Sequence, residues 1–323
     1  MKVLVTGGAG YIGSHTVKNL LGRGHEVVVV DDLSSGRREL VAPGCRLVKA
    51  DIREAKALDR VFRRHRFGAV LHFASLIQVG ESFLDPAKYY LHNLTGSLTL
   101  LEAVRRAGIE RFIFSSSAAV YGVPRRTPLT EDQPLVPANP YGQTKFFVET
   151  MLRDYDRAYG LRSVSLRYFN AAGADPDGGL GEMHDPETHL IPNVLLAVLG
   201  RKPAVEVFGT DFETPDGTAI RDYIHVSDLA EAHALALDSL ERGGSTEAVN
   251  LGTNRGYSVR EVIRAVEDVT GRKVPFREAP RRRGDVPVLL ASKDKAEKLL
   301  GWRLRWSDLE TIVATAWKWH STR

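Results

Sequence analysis

KVLVTGGAGYIG (residues 2–13) joins a β-branched run to the start of an amphipathic stretch through Gly7, Gly10 and Gly13. The spacing G-x-x-G-x-x-G is a variant of the dinucleotide fingerprint. The first glycine permits the tight turn, the second lets the backbone approach a pyrophosphate, and the third lets the helix pack close to the strand. The helix start then presents unpaired N–H groups to the phosphates. No G-K-[ST] ending follows, which excludes a nucleotide-triphosphate loop. A glycine turn alone is a weak signal, and its context strengthens it. Asp31 ends the next apolar run, EVVVVD (26–31), where a carboxylate can accept hydrogen bonds from the adenosine ribose. Asp31 and its neighbour Asp32 repel a 2′-phosphate, whereas Arg37 and Arg38 would accommodate one; the balance favours NAD over NADP. Asp51, after the third strand, reads either as an adenine contact or as a helix N-cap.

Working outward, strands are predicted at 2–6, 26–31, 45–50, 68–73, 111–116 and 162–169. Amphipathic stretches near 11–23, 54–65, 87–107 and 143–159 separate them. Continuous Val/Ile/Leu strands alternating with helices predict an α/β fold, a Rossmann-type doubly wound parallel sheet covered on both faces. The rhythm breaks after Phe169, where 170–189 reads as a long loop rich in Gly, Asp and Pro. Helices near 190–200, 227–241, 258–270, 292–300 and 307–320 then mix with short strands. The reading is a dinucleotide-binding domain over 1–169 and a smaller mixed substrate domain mainly over 170–323. Segments near 220–253 rejoin the first, because EAVNLGT (247–253) reads as a strand of the main sheet.

The 323 residues carry 44 Lys and Arg against 40 Asp and Glu, a net charge of +4 that is interspersed rather than striped. This argues against nucleic-acid binding and suits an anionic small-molecule ligand. The single cysteine, Cys45, excludes an intrachain disulfide. Without a signal-peptide pattern or an apolar run of membrane length, the expected location is cytoplasmic.

NPYGQTK (139–145) sets Tyr141 four residues before Lys145, on one face of a helix. About two dozen residues earlier, RFIFSSSAAVYG (111–122) ends a strand in Ser115, Ser116 and Ser117, at the edge where parallel sheets bind ligands. A tyrosine has an ordinary pKa near ~10 and is a poor base at neutral pH. A neighbouring ammonium and a cationic nicotinamide both favour its phenolate, so the lysine is expected to bring the phenol towards the working range of a general base. Y-x-x-x-K alone is common by chance; the glycine motif and the serine strand give it meaning.

With VTGGAGYIGSHT (5–16), HFAS (72–75), VGES (79–82), FSSSAAVYG (114–122), NPYGQTK, LRYFNAAGA (166–174), IRDYIHVSDLA (220–230), VNLGT (249–253) and RRRGDVP (281–287), the chain resembles the UDP-glucose 4-epimerase family of extended short-chain dehydrogenases/reductases over nearly its full length. The resemblance implies reversible oxidation of a UDP-sugar at C4 through a 4-keto intermediate, with tightly held NAD, and a homodimer joined by helices near 95–107 and 146–159. It implies Tyr141 as base, Lys145 as its tuner and a ribose contact, and Ser117 as a partner of the sugar hydroxyl. Gly7, Gly10, Tyr11, Ile12, Gly13, Asp31, Asp32, Asp51, Ile52, Phe73, Ala74, Asn93 and Tyr168 are then cofactor contacts. Asn170, His189, Leu190, Phe208, Arg221, Arg282, Asp285 and Leu289 are substrate contacts; the forked donors of arginine suit a pyrophosphate independently.

The chain departs from the family pattern at three places. Ile77 stands where many members carry a lysine near the cofactor phosphates, Ala119 where a threonine is frequent, and Leu289 where some members have a tyrosine and others a cysteine. Leu289 opens the question of N-acetylated sugars. Alternatives are another nucleotide-sugar 4-epimerase, a 4,6-dehydratase, or an NAD-binding regulator without catalysis. Ser115–Ala119 lacks the carboxylates a dehydratase needs, and a regulator has no need of the Ser/Tyr/Lys set. His184, Asp185, Glu187 and His189 match no standard metal spacing and read as loop polarity, so no metal site is expected.

Overall fold

The computed structural model describes residues 1–282 and 284–323; Arg283, in the basic trio 281–283, lies outside the described residues. Six parallel strands, β1 (Lys2–Thr6), β2 (Glu26–Asp31), β3 (Arg46–Lys49), β4 (Ala69–His72), β5 (Arg111–Ser115) and β6 (Arg162–Arg167), are joined by Glu247–Asn250 at one edge. The order across the sheet is β3-β2-β1-β4-β5-β6 and then Glu247–Asn250. All neighbours are parallel, with Thr6 opposite both Val30 and His72. The order reverses between β1 and β4, which opens the crevice where such sheets bind ligands.

Side-chain alternation along the strands builds two cores. Val3, Val5, Val27, Val29 and Leu71 pack on one face with Val17 and Leu20 of helix Tyr11–Gly22 and with Leu229 and Leu237 of helix Val226–Glu241. Leu4, Val28, Val30, Val70, Phe112 and Phe114 pack on the other with Leu58, Leu100, Leu101, Val148 and Leu152. Each fully buried side chain of this size stabilises the fold by about 1.5–3 kcal/mol relative to exposure. A third cluster, including Ile191, Val194, Val207, Tyr223, Val262 and Ile312, lies in the C-terminal half. Short strands there pair Asn170–Ala172 with Tyr223–His225, Val205–Phe208 with Phe276–Ala279, and Ile220–Arg221 with both Tyr257–Ser258 and Val288–Leu289.

Two expectations are corrected. The segment read as one helix near 87–107 is Pro86–Tyr89, a wider π turn at Tyr90–Thr95, and a helix at Gly96–Arg106. The loop read over 170–189 begins as the strand Asn170–Ala172, because its backbone finds partners in a segment more than fifty residues away. Among the described residues, no helix is long and apolar enough to cross a membrane.

Candidate active site at the strand ends

The glycine loop is shaped by backbone contact. Gly7 has φ +74°, and a Cβ there would lie 2.5 Å from the Ala74 nitrogen. A Cβ on Gly13 would lie 2.2 Å from the Gly7 carbonyl oxygen, so the helix could not approach β1 this closely with any other residue. Gly10, the N-cap of helix Tyr11–Gly22, offers no side-chain cap, and the first turn holds no acid. The N–H groups there are left for an anion. Asp31, 7% exposed, accepts from the Ala9 and Leu33 amides, each at 2.9 Å, and burial pushes its carboxyl up while those bonds pull it down. Asp32 accepts from Ser34. This loop fits a pyrophosphate and a ribose diol, which is the chemistry of NAD.

The remaining cofactor candidates are placed as follows. Phe73 and Ala74 leave the end of β4 with their amides on Thr6, against Gly7. Tyr11 turns its phenol away to the Gly173 carbonyl at 2.6 Å, and Ile12 packs on the first core. Ile52 is buried against Gly96. Asp51 does not cap a helix: Glu54 occupies the N-cap, and Asp51 is held by the Arg53 amide and guanidinium, which keeps its carboxyl below the usual range. Asn93, in the π turn, uses its whole amide to brace the chain after β4, accepting from the Leu76 amide at 2.8 Å and donating to the Leu76 carbonyl at 3.0 Å and Thr144 at 3.2 Å. The widened turn delivers that side chain inward, a frequent use of π geometry.

Tyr141 and Lys145 sit in the first turns of helix Pro140–Tyr159. Pro140 at its start and the Asn139 side chain, which accepts from the Gly142 amide at 2.8 Å, fix where this helix begins. Ser117 caps a short 3-10 turn and accepts from the Ala119 amide at 3.1 Å. Lys145 donates to the Ser115 carbonyl at 2.8 Å, and its Nζ lies 5.7 Å from the Tyr141 ring centre. Tyr168 shares a hydrogen bond of 2.5 Å with Ser115.

The electrostatics reverse one expectation. Burial pushes the Tyr141 phenol up, and Ser117 draws it back. Burial pushes Lys145 from 10.5 down to about 7, against the pull of Glu149. With Tyr141 9% and Lys145 3% exposed, desolvation penalises the charged form of each in the protein alone.

Sequence reasoning missed what supports Lys145. One turn further, Glu149 forms a buried ion pair with Arg167 at 2.5 Å, both side chains 3% exposed. Glu149 also accepts from Ser116 at 2.6 Å, and Arg167 donates to Tyr121, whose phenol donates to Asn250. The available signal was an arginine in the apolar run RSVSLRYF (162–169) and a glutamate at i+4 from the lysine.

In the C-terminal half, Arg282 forms a forked pair with Asp285 at 2.9 and 3.2 Å and lies over the Phe208 ring, 5.0 Å from its centre. Arg221 donates to the Ile220 and Val286 carbonyls at 2.9 Å and approaches Asp285 at 3.6 Å. Leu289 is paired in register with Arg221. Asn170 donates to the Asp222 carbonyl at 2.8 Å. These six residues are brought together from four segments. His189, the N-cap of helix Leu190–Val198, turns its Nδ1 to Glu182, which holds its pKa up at about 9. Leu190 follows it as the first residue of that helix.

Residues 3–252 match the NAD dependent epimerase/dehydratase family. The chain is 54% identical to a UDP-glucose 4-epimerase of Azospirillum brasilense over 98% of its own length and 91% of that protein's. It superposes with a TM-score of 0.95 on the Brucella ovis UDP-glucose 4-epimerase in complex with NAD, at 52% identity over 98% of this chain and 97% of that one. A Bifidobacterium longum UDP-glucose 4-epimerase with NAD+ and UDP gives a TM-score of 0.94 at 39% identity, over 100% and 98% of the two chains. The chain belongs to the NAD dependent epimerase/dehydratase family, in its UDP-glucose 4-epimerase branch.

Proposed function

We propose that the protein interconverts UDP-glucose and UDP-galactose by reversible oxidation at sugar C4 through a 4-keto intermediate, with NAD as cofactor. The observation that carries this reading is the convergence of Ser117, Tyr141 and Lys145 at the strand ends beside the glycine loop, in a chain similar to UDP-glucose 4-epimerases along its whole length.

Bound NAD supplies a hydride acceptor that returns the hydride within the same cycle, and its oxidised ring supplies a positive charge. The Tyr141 oxygen takes the proton from the sugar 4-hydroxyl and returns it to the same oxygen once the 4-keto sugar has turned its other face, which inverts C4. Ser117 holds that hydroxyl, and Lys145 keeps the phenol oriented and binds ribose hydroxyls. Gly7, Gly10, Gly13, Asp31 and Asp32 hold the dinucleotide, with Asn93 acting through the Leu76 segment it braces. Arg221, Arg282, Asn170, Phe208 and Leu190 hold the UDP part, and Leu289 bounds the sugar C2 substituent. We assign residues 1–169, together with helix Val226–Glu241 and strand Glu247–Asn250, to the cofactor side, and most of 170–323 to the substrate side. The protein pairs as a homodimer through helices Gly96–Arg106 and Pro140–Tyr159. Leu98, Phe147 and Tyr159, 42%, 38% and 56% exposed, support this as unburied apolar surface on those helices.

The test is conversion of UDP-galactose to UDP-glucose by purified protein, with and without added NAD, and with UDP-N-acetylgalactosamine in parallel. Turnover of UDP-galactose supports the reading. Turnover of the N-acetylated sugar extends it and fits the room left by Leu289. No turnover of UDP-galactose with NAD present rejects the substrate assignment.

A further inference from the structure

We propose that Glu182, His184, Glu187 and His189 form a binding site for one divalent transition-metal ion of the zinc class, between the glycine loop and the start of helix Leu190–Val198. The four side chains come from E-x-H-x-x-E-x-H in a segment without helix or strand, yet their donor atoms all lie within 4.8 Å of one another. His184 Nδ1 stands 2.8 Å from Glu182 Oε1, and His189 Nδ1 contacts the same oxygen. Glu187 Oε1 is 4.0 Å from His189 Nδ1. Both imidazoles therefore turn the same ring nitrogen to one centre.

Charge supplies a second argument. The Glu182 side chain is 2% exposed and that of Glu187 7%. Among the described residues, no lysine or arginine pairs with either. The basic partners of these carboxylates among the described residues are the two imidazoles, and an ion held between all four groups would take over the balancing of two buried carboxylates that an imidazolium supplies in its absence. Two imidazoles and two carboxylates are a donor set suited to zinc-class ions in tetrahedral geometry. The segment is also braced from outside: Tyr11 meets the His184 ring edge-on at 6.2 Å and anchors Gly173, and Trp319 Nε1 donates to the Glu182 carbonyl at 3.0 Å. Such support orients metal ligands. The ion has a structural role here. It ties the glycine-loop helix, through Tyr11, to His189 and Leu190 at the substrate side.

The test is elemental analysis of the full-length protein expressed with added Zn²⁺ and desalted, together with Co²⁺ titration followed by visible absorption. Thermal unfolding is measured with and without a chelator. The proposal expects one ion per chain, a tetrahedral Co²⁺ spectrum, a Tm that falls with chelator and recovers with Zn²⁺, and loss of both signals in His184→Gln/Glu187→Gln. Metal content no higher than in that double variant, with a wild-type Tm indifferent to chelator and to Zn²⁺, would overturn it. The wild-type measurements decide the matter even where the variant folds poorly, and they do not depend on which sugar the enzyme turns over.

Discussion

Around the glycine loop, backbone does the positioning. Gly7 and Gly13 let main chain touch main chain, Asp31 is fixed by two amides, and Lys145 is fixed by the Ser115 carbonyl. In the arginine cluster of the C-terminal half, side chains hold one another: Arg282 and Arg221 share Asp285, and Phe208 lies under Arg282. The first arrangement is buried, with Asp31 and Lys145 7% and 3% exposed. The second is more exposed, with 59% of the Arg282 side chain open. Under the proposed assignment, the first construction holds NAD and the second trades Asp285 for the pyrophosphate of an entering UDP-sugar.

This contrast can be broken most severely beneath helix Pro140–Tyr159. Glu149→Leu leaves the Arg167 charge buried and unpaired, and should cost about 3–5 kcal/mol of stability by denaturant unfolding. The double variant Glu149→Leu/Arg167→Met should recover much of that stability without restoring activity. Gly13→Ala drives a Cβ into the Gly7 carbonyl, and should cost about 1–3 kcal/mol or more and weaken NAD retention measured after gel filtration. Arg282→Ala should leave Tm nearly unchanged, because its pair is exposed. It should raise KM for the UDP-sugar about 10-fold or more, since a charge-assisted fork to phosphate is lost. Leu289→Tyr should lower turnover of an N-acetylated sugar relative to UDP-galactose by about 10-fold, read from the ratio of kcat/KM values.

Lys145 gives the contrast a pH signature. Its folded pKa of about 7 lies below the ordinary 10.5, so the unfolded chain binds more protons between those values. Stability from this group therefore rises with pH across that window, and its charge costs stability below it. Lys145→Met should flatten that slope in unfolding free energy measured from pH 6 to 10 on the same protein.

The sequence exposed the two sides unequally. β1 and β2 were read with their observed bounds, because parallel buried strands are continuous apolar runs with sharp polar ends. The segment 247–253, read as a strand of the main sheet, supplies its edge strand over Glu247–Asn250. Tyr141, Lys145 and Ser117 lie within thirty residues of one another and carry their own pattern. The Glu149–Arg167 pair was not legible, since a glutamate on a helix reads as surface until the strand behind it is known to be covered. The direction of the Tyr141 and Lys145 shifts also depended on burial, which residue type does not encode. Likewise, the π turn that redirects Asn93 follows from its contacts with Leu76 and Thr144 rather than from local propensity. His184, Glu187 and His189 read as loop polarity and Glu182 does not enter that reading, because the convergence of the four comes from tertiary bracing by Tyr11 and Trp319.

The central claim is that the Tyr141 phenol moves the proton. The most direct measurement is kcat for UDP-galactose conversion by Tyr141→Phe, alongside the variant's NAD content and its affinity for UDP. The account predicts kcat lower by about 10²–10⁴-fold with both binding readouts preserved, because only the acid–base group is removed. A variant that keeps NAD and UDP and retains kcat within about 10-fold of wild type would contradict it, since general acid–base catalysis of this kind is worth more than that.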